Sequence, residues 1–134
     1  MNDLLDALSE LFQDEEARYA YVNANLNASV AAQIKALRDQ REMSQDDLAK
    51  AIGTKQSGIS RLENANYSSW KVETLRKLAR AFGLRLRISF EEFGTLIPEI
   101  EQFRRKSLGR REFADDPIFH PERGAEERRE AASL

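Results

Sequence analysis

Apolar residues between Ser44 and Leu62 recur in two short helical stripes separated by a glycine. Leu48, Ala49 and Ile52 fall at i, i+1 and i+4, the pattern of a helix with one buried face, and Ile59 and Leu62 fall at i and i+3. Ser44 is a good N-cap for the first helix. Asp47, three residues on, completes a capping box, and Asp46 and Asp47 place negative charge at the positive end of the helix dipole. Gly53 stands where the chain must turn, because glycine enters the left-handed region without a Cβ penalty. Thr54 is expected to cap the second helix. The side of that helix not taken by Ile59 and Leu62 carries Lys55, Gln56, Ser57, Ser60 and Arg61, a donor-rich set without an acid.

The same periodicity organises the flanks. An opening helix is expected from about Asp3 to Asn23, with Leu4, Leu5, Leu8, Leu11 and Phe12 on one side and Tyr19 and Val22 continuing beyond Asp14-Glu15-Glu16, where it can break. Residues 25–27 are expected to separate it from a helix over 28–42, in which Val30, Ile34 and Leu37 lie at i, i+4 and i+7 and Lys35, Arg38 and Arg41 are polar. Beyond the two short helices come a loop over 64–70 and a helix over 71–82, with Val72, Leu75, Leu78, Ala79 and Phe82 facing inward and Gly83 ending it. Residues 84–90 then alternate apolar and polar with period two, which predicts a half-buried strand. A lone strand leaves its backbone groups unpaired, so the economical partner is the same strand of a second copy, joined through Leu84, Leu86, Ile88 and Phe90. The alternative is a hairpin with residues 91–96. A short helix up to Phe103 follows, and residues 104–134 are charged, with little to bury, and are expected to be a loosely ordered tail. The organisation read from this is a helical extension over 1–27, a helical domain over 28–83, a strand and short helix for dimerisation over 84–103, and the tail.

Composition narrows the chemistry. The chain has 134 residues, no cysteine and one histidine, His120, which suits a single small domain with tails and leaves no disulfide framework, no usual metal cluster and no expected cofactor. Its start is acidic, and no apolar run approaches the ~18 residues of a membrane span, so neither secretion nor a membrane partner is expected and the cytoplasm, at the nucleoid, is the expected place. The net charge of −2 hides a division along the sequence. Residues 28–90 hold 12 Lys+Arg against 6 Asp+Glu, whereas residues 1–27 hold 1 against 6 and residues 91–134 hold 8 against 11. A basic middle between acidic flanks points to a nucleic-acid surface. No Ser/His/Asp set, second histidine or phosphate-cradling glycine loop is present, so no catalytic residue is assigned and an enzyme is not expected.

Gln45, Leu48-Ala49, Ile52-Gly53, Gln56, Ile59-Ser60 and Glu63, in this order and spacing, resemble the lambda-repressor/Cro-like helix-turn-helix regulators, also called XRE-like. The resemblance covers the middle of the chain. It implies a mainly α fold, a lambda-repressor-like helix-turn-helix bundle, to which the residue pattern adds an N-terminal helical extension and, as a departure from relatives that commonly carry a fifth helix there, a C-terminal β-strand used in dimerisation. It implies that the second short helix enters the major groove of double-stranded DNA, with Lys55, Gln56, Ser57, Ser60 and Arg61 toward the bases. Gln56 matches adenine N6 and N7, and Arg61 or Lys55 can donate to guanine or to phosphate. Gln45 is implied to hold a phosphate, with a second cap as the alternative. Asn64, Asn66, Ser68 and Lys71 are implied as further phosphate contacts. Arg38 and Glu63 are implied to form a structural ion pair, while Tyr67 and Trp70 are expected to pack the loop over the core. Gly58 signals a close approach, to DNA or to a neighbouring helix. The basic run Arg104-Arg105-Lys106 with Arg110-Arg111 reads as a DNA arm or a solvated linker. The expected function is a homodimeric, sequence-specific transcriptional repressor at a palindromic operator. The alternative is an antitoxin of the HigA type, which would bind a cognate toxin through its flanks and repress its own operon.

Overall fold

Asp14 is the first fixed point of the structure, a computed structural model that describes residues 3–105 and 108–133. Its side chain accepts from the Ala17 backbone N–H at 2.9 Å and starts a new helix, so the opening helix breaks at the acids. Helix α1 spans Asp3–Leu11 and α2 spans Glu15–Gln40. Residues 25–27 do not separate two helices: α2 runs through them as one 26-residue helix. The half-buried Tyr21, Asn25 and Ser29 recur every four residues, which keeps one helical stripe continuous. Against that stripe, the helix penalty of asparagine, at most about 0.7 kcal/mol per residue, is small.

Helices α3 (Gln45–Ile52), α4 (Gln56–Leu62) and α5 (Val72–Ala81) follow. Together with the C-terminal half of α2 they enclose one core of Ile34, Leu48, Ala49, Ile59, Leu62, Leu78 and Phe82. Tyr67 and Trp70 pack against this core from the loop, as expected. The ends of α2 and α5 are tied together: Nε and Nη2 of Arg41 donate to the Phe82 carbonyl at 3.1 and 2.9 Å, satisfying an acceptor that the end of α5 leaves open. Gly83, at φ +70°, then reverses the chain.

The strand expected over residues 84–90 is not formed, and no β-strand occurs among the described residues. Leu84 packs on the core, but exposure then rises from 37% at Leu86 to 60% at Ile88 and 103% at Phe90. The alternation is real. Among the described residues, however, nothing offers a ladder of donors and acceptors, and period two alone does not make a sheet. The hairpin alternative fails as well, because Phe93–Thr95 is a 3-10 turn and Leu96 opens α6 (Leu96–Arg105).

That turn returns to the N-terminal extension. The Phe93 ring meets Phe12 and Tyr19 edge to face at centroid distances of 5.6 Å, and the Arg18 guanidinium lies over the Phe93 ring at 5.5 Å. The tail, expected to be loosely ordered, holds a 3-10 turn at Phe113–Asp115 and a helix α7 at Pro121–Ala132, started by proline at its first position. It is fastened where α2 and α5 end: the Arg110 N–H donates to Gln40 Oε1 at 2.6 Å, and the Phe113 N–H donates to the Gly83 carbonyl at 3.1 Å. Lys106 of the basic run lies outside the described residues.

Candidate nucleic-acid interface

Local chemistry fixes the angle between α3 and α4. The Ser44 N–H donates to Asp47 Oδ2 at 2.9 Å and the Asp47 N–H donates to Ser44 Oγ at 3.0 Å, a reciprocal capping box. These bonds, the backbone one first, hold the Asp47 carboxyl below the usual carboxylate range. A group whose value is lowered by folding contributes stability that is present above its unfolded value and is lost as pH falls through the folded one. Asp47→Asn is therefore expected to melt lower than the parent at neutral pH, with the gap closing on acidification through the Asp47 titration. A gap that stays constant down to acid pH would contradict this role for Asp47.

Gly53 adopts φ +76°, and the Thr54 N–H donates to the Ala49 carbonyl at 2.9 Å, turning the chain into α4. Thr54 is not the cap of α4. That position falls to Lys55, which makes no side-chain capping bond. The Thr54 side chain lies instead against Gly58, where an added Cβ would stand 2.8 Å from Thr54 Oγ1. The close approach signalled by Gly58 is thus to its own preceding turn.

Leu48 and Ile59 are fully buried and lock α3 onto α4, which leaves Lys55, Gln56, Ser57, Ser60 and Arg61 exposed. The first turn of α4 carries no acid, so its free N–H groups face solvent without a negative neighbour on that turn. Asn64, Asn66, Ser68 and Lys71 are exposed along the loop to α5, with Asn64 Oδ1 accepting from the Asn66 N–H at 2.8 Å.

Gln45 is half-buried and lies between two partners. Its Nε2 donates to Glu63 Oε1 at 3.3 Å, and its Oε1 accepts from Gln56 Nε2 at 2.5 Å. Glu63 is in turn gripped by Arg38, from Nε to Oε2 at 2.7 Å and from Nη2 to Oε1 at 3.0 Å, while Arg38 Nη1 donates to the Met43 carbonyl at 2.8 Å. The bond to Glu63 raises the Arg38 pKa still further, against the opposing effect of burial. An unbroken chain of hydrogen bonds therefore runs from α2 through the end of α4 and the start of α3 to the first residue of α4. The ion pair was legible in the sequence. The relay through Gln45 to Gln56 was not, because residues 11 apart meet only once the turn angle is set. Gln45 is thus neither a second cap nor a free side chain: it orients Gln56.

The fold and this surface define a helix-turn-helix domain. Residues 34–88 match the helix-turn-helix family, which agrees with the resemblance of this segment to XRE-like helix-turn-helix regulators. Over 63 residues the chain is 38% identical to the HTH-type transcriptional repressor RghR of Bacillus subtilis (strain 168), a match covering 47% of this chain and 44% of that protein. The chain thus spans less than half the length of this relative. No solved structure matches it. No helix among the described residues is long and apolar enough to cross a membrane, and no group of three or more metal-ligating side chains is found among them.

Proposed function

We propose that this protein is a sequence-specific DNA-binding transcriptional regulator, a homodimeric repressor that reads a palindromic operator in the major groove. The observation that carries this reading is the presentation of α4. Its first turn is exposed and free of acid, and the Glu63–Gln45–Gln56 relay holds the Gln56 amide before any ligand arrives. A preset amide is what a two-bond contact to adenine N6 and N7 needs, and Arg61 adds a donor for guanine or phosphate. Lys55, Ser57 and Ser60 share that face. Gln45, Asn64, Asn66, Ser68 and Lys71 surround it at positions suited to backbone phosphates. The repressor name of the Bacillus relative agrees with this assignment. The site of action is the nucleoid in the cytoplasm.

The homodimer rests on the apolar side chains of Leu84, Leu86, Ile88 and Phe90, the last three of them exposed, which a second copy would cover. A two-fold axis would set two α4 helices about 34 Å apart, one turn of duplex. Selection from a random DNA pool should therefore return an inverted repeat. Its affinity should fall with salt at a log-log slope of about 0.9 per neutralised phosphate. A selection that enriches no sequence, or affinity that is flat in salt, would overturn the reading.

A second reading, an antitoxin that also represses its own operon, has one observation in its favour. The acidic N-terminal extension exposes Leu11 and Leu26, which DNA binding does not use and a toxin could cover. A small toxin-like protein encoded beside this chain and co-purifying with it would select this reading over the first.

A further inference from the structure

The chain after α5 presents apolar and basic side chains, and the tail segment bonded to Gly83 presents apolar and acidic ones. Val72, Leu86 and Ile88 line an open cleft with Arg76 and Arg80 at its side, and Arg85 and Arg87 alternate with the apolar residues. Arg76, Arg80 and Arg85 have no ion pair among the described residues, and Arg87 reaches Glu91 only at 3.9 Å. The Gly83 carbonyl, immediately before the cleft segment, accepts from the Phe113 N–H, so residues 112–119 begin where that segment begins. They carry Glu112, Asp115 and Asp116 and expose Phe113 at 58%, Ile118 at 79% and Phe119 at 65%. Among the described residues Glu112 has no ion pair, and Asp115 pairs with Arg123 at 3.9 Å. Arg76, Arg80 and Arg85 on one side of Gly83 and Glu112 on the other thus lack ion pairs among the described residues, while Arg87 and Asp115 have only long ones.

We propose that these two segments form the meeting face of two copies of the chain, the basic cleft of one receiving the acidic, apolar segment 112–119 of the other. In a two-fold interface each contact occurs twice with the partners exchanged, so a patch that is basic at one end and acidic at the other is complementary to itself. Two basic clefts laid directly on each other would instead oppose like charges, which costs stability and selects against that arrangement. The inference rests on the homodimeric reading above and adds to it the orientation of the two copies and the acidic half of the interface.

Sedimentation equilibrium of the full chain without DNA tests it. Arg76→Glu with Arg80→Glu should weaken self-association roughly tenfold, as should Glu112→Lys with Asp115→Lys, since each pair of substitutions disturbs four interfacial charges per dimer. The chain carrying all four substitutions should recover most of the parental affinity, which also shows that the changes do not act through misfolding. Self-association untouched by either pair, or not restored by the combination, overturns this interface while leaving the homodimer standing. A parent chain that is monomeric at all concentrations overturns both.

Discussion

Leu48→Ala is expected to lower the stability of the domain by about 3–5 kcal/mol, the largest loss of any single substitution considered. Leu48 is fully buried in the core built by α2 to α5, and its neighbours there include Ile34, Ile59 and Leu78. Truncation removes the transfer free energy of the deleted carbons and leaves a cavity that the surrounding helices can only partly fill. Small domains have total stabilities of about 5–15 kcal/mol, so this change consumes a large share of the margin and the variant should be partly unfolded at growth temperatures. Urea denaturation of both proteins gives the difference directly, and a loss under about 1 kcal/mol would mean that the α3–α4 junction is not packed as described.

Glu63→Ala is expected to cost about 3 kcal/mol. The Glu63 and Arg38 side chains are 5% and 12% exposed, so deleting the carboxylate removes the closest partner of a guanidinium that has little water to replace it. The cost lies at the lower end of the range for a buried pair because Arg38 keeps its ion pair with Asp39 at 3.4 Å and its bond to the Met43 carbonyl. Replacing both partners, as in Arg38→Met with Glu63→Leu, should be far milder than either single change, since no charge is then left unpaired. A double variant that is as unstable as the sum of the singles would contradict that account. Glu63→Ala has a second consequence: Gln45 loses its anchor, and Gln56 loses the orientation that Gln45 gives it.

The helix-turn-helix itself was legible because its signals are local. Ser44 and Asp47 satisfy each other within one turn, Gly53 supplies the left-handed residue, and the spacing of Leu48, Ala49, Ile52, Ile59 and Leu62 states which faces meet. The exposed residues of α4 followed from that spacing by elimination. What the sequence concealed depends on contacts far apart in the chain. Period two over residues 84–90 describes which side chains share a side but contains no information about a pairing partner, and within the described residues none exists. Glu42 reverses α2 at φ +54°, a conformation that a non-glycine residue does not announce. The tail looked too polar to fold by itself, and its composition alone supported that view. It is tied down by two of its own backbone N–H groups, which donate to the Gln40 side chain and to the Gly83 carbonyl, partners 70 and 30 residues away. Thr54 differs for a related reason: a β-branched hydroxyl beside a glycine turn fits a cap, but the turn continues one residue further and places that side chain against Gly58.

In the proposed complex the Gln45-oriented face of α4 reads base edges. The most direct measurement compares the Gln56→Ala variant with the parent chain on the selected inverted repeat and on a scrambled duplex, with melting curves of both proteins recorded alongside. Gln56 is exposed, so its truncation should leave the melting temperature nearly unchanged. Affinity for the inverted repeat should nevertheless fall by about 1–3 kcal/mol per contacted half-site, with little change on the scrambled duplex. Equal affinity of the two proteins for the inverted repeat, at equal stability, would contradict the claim.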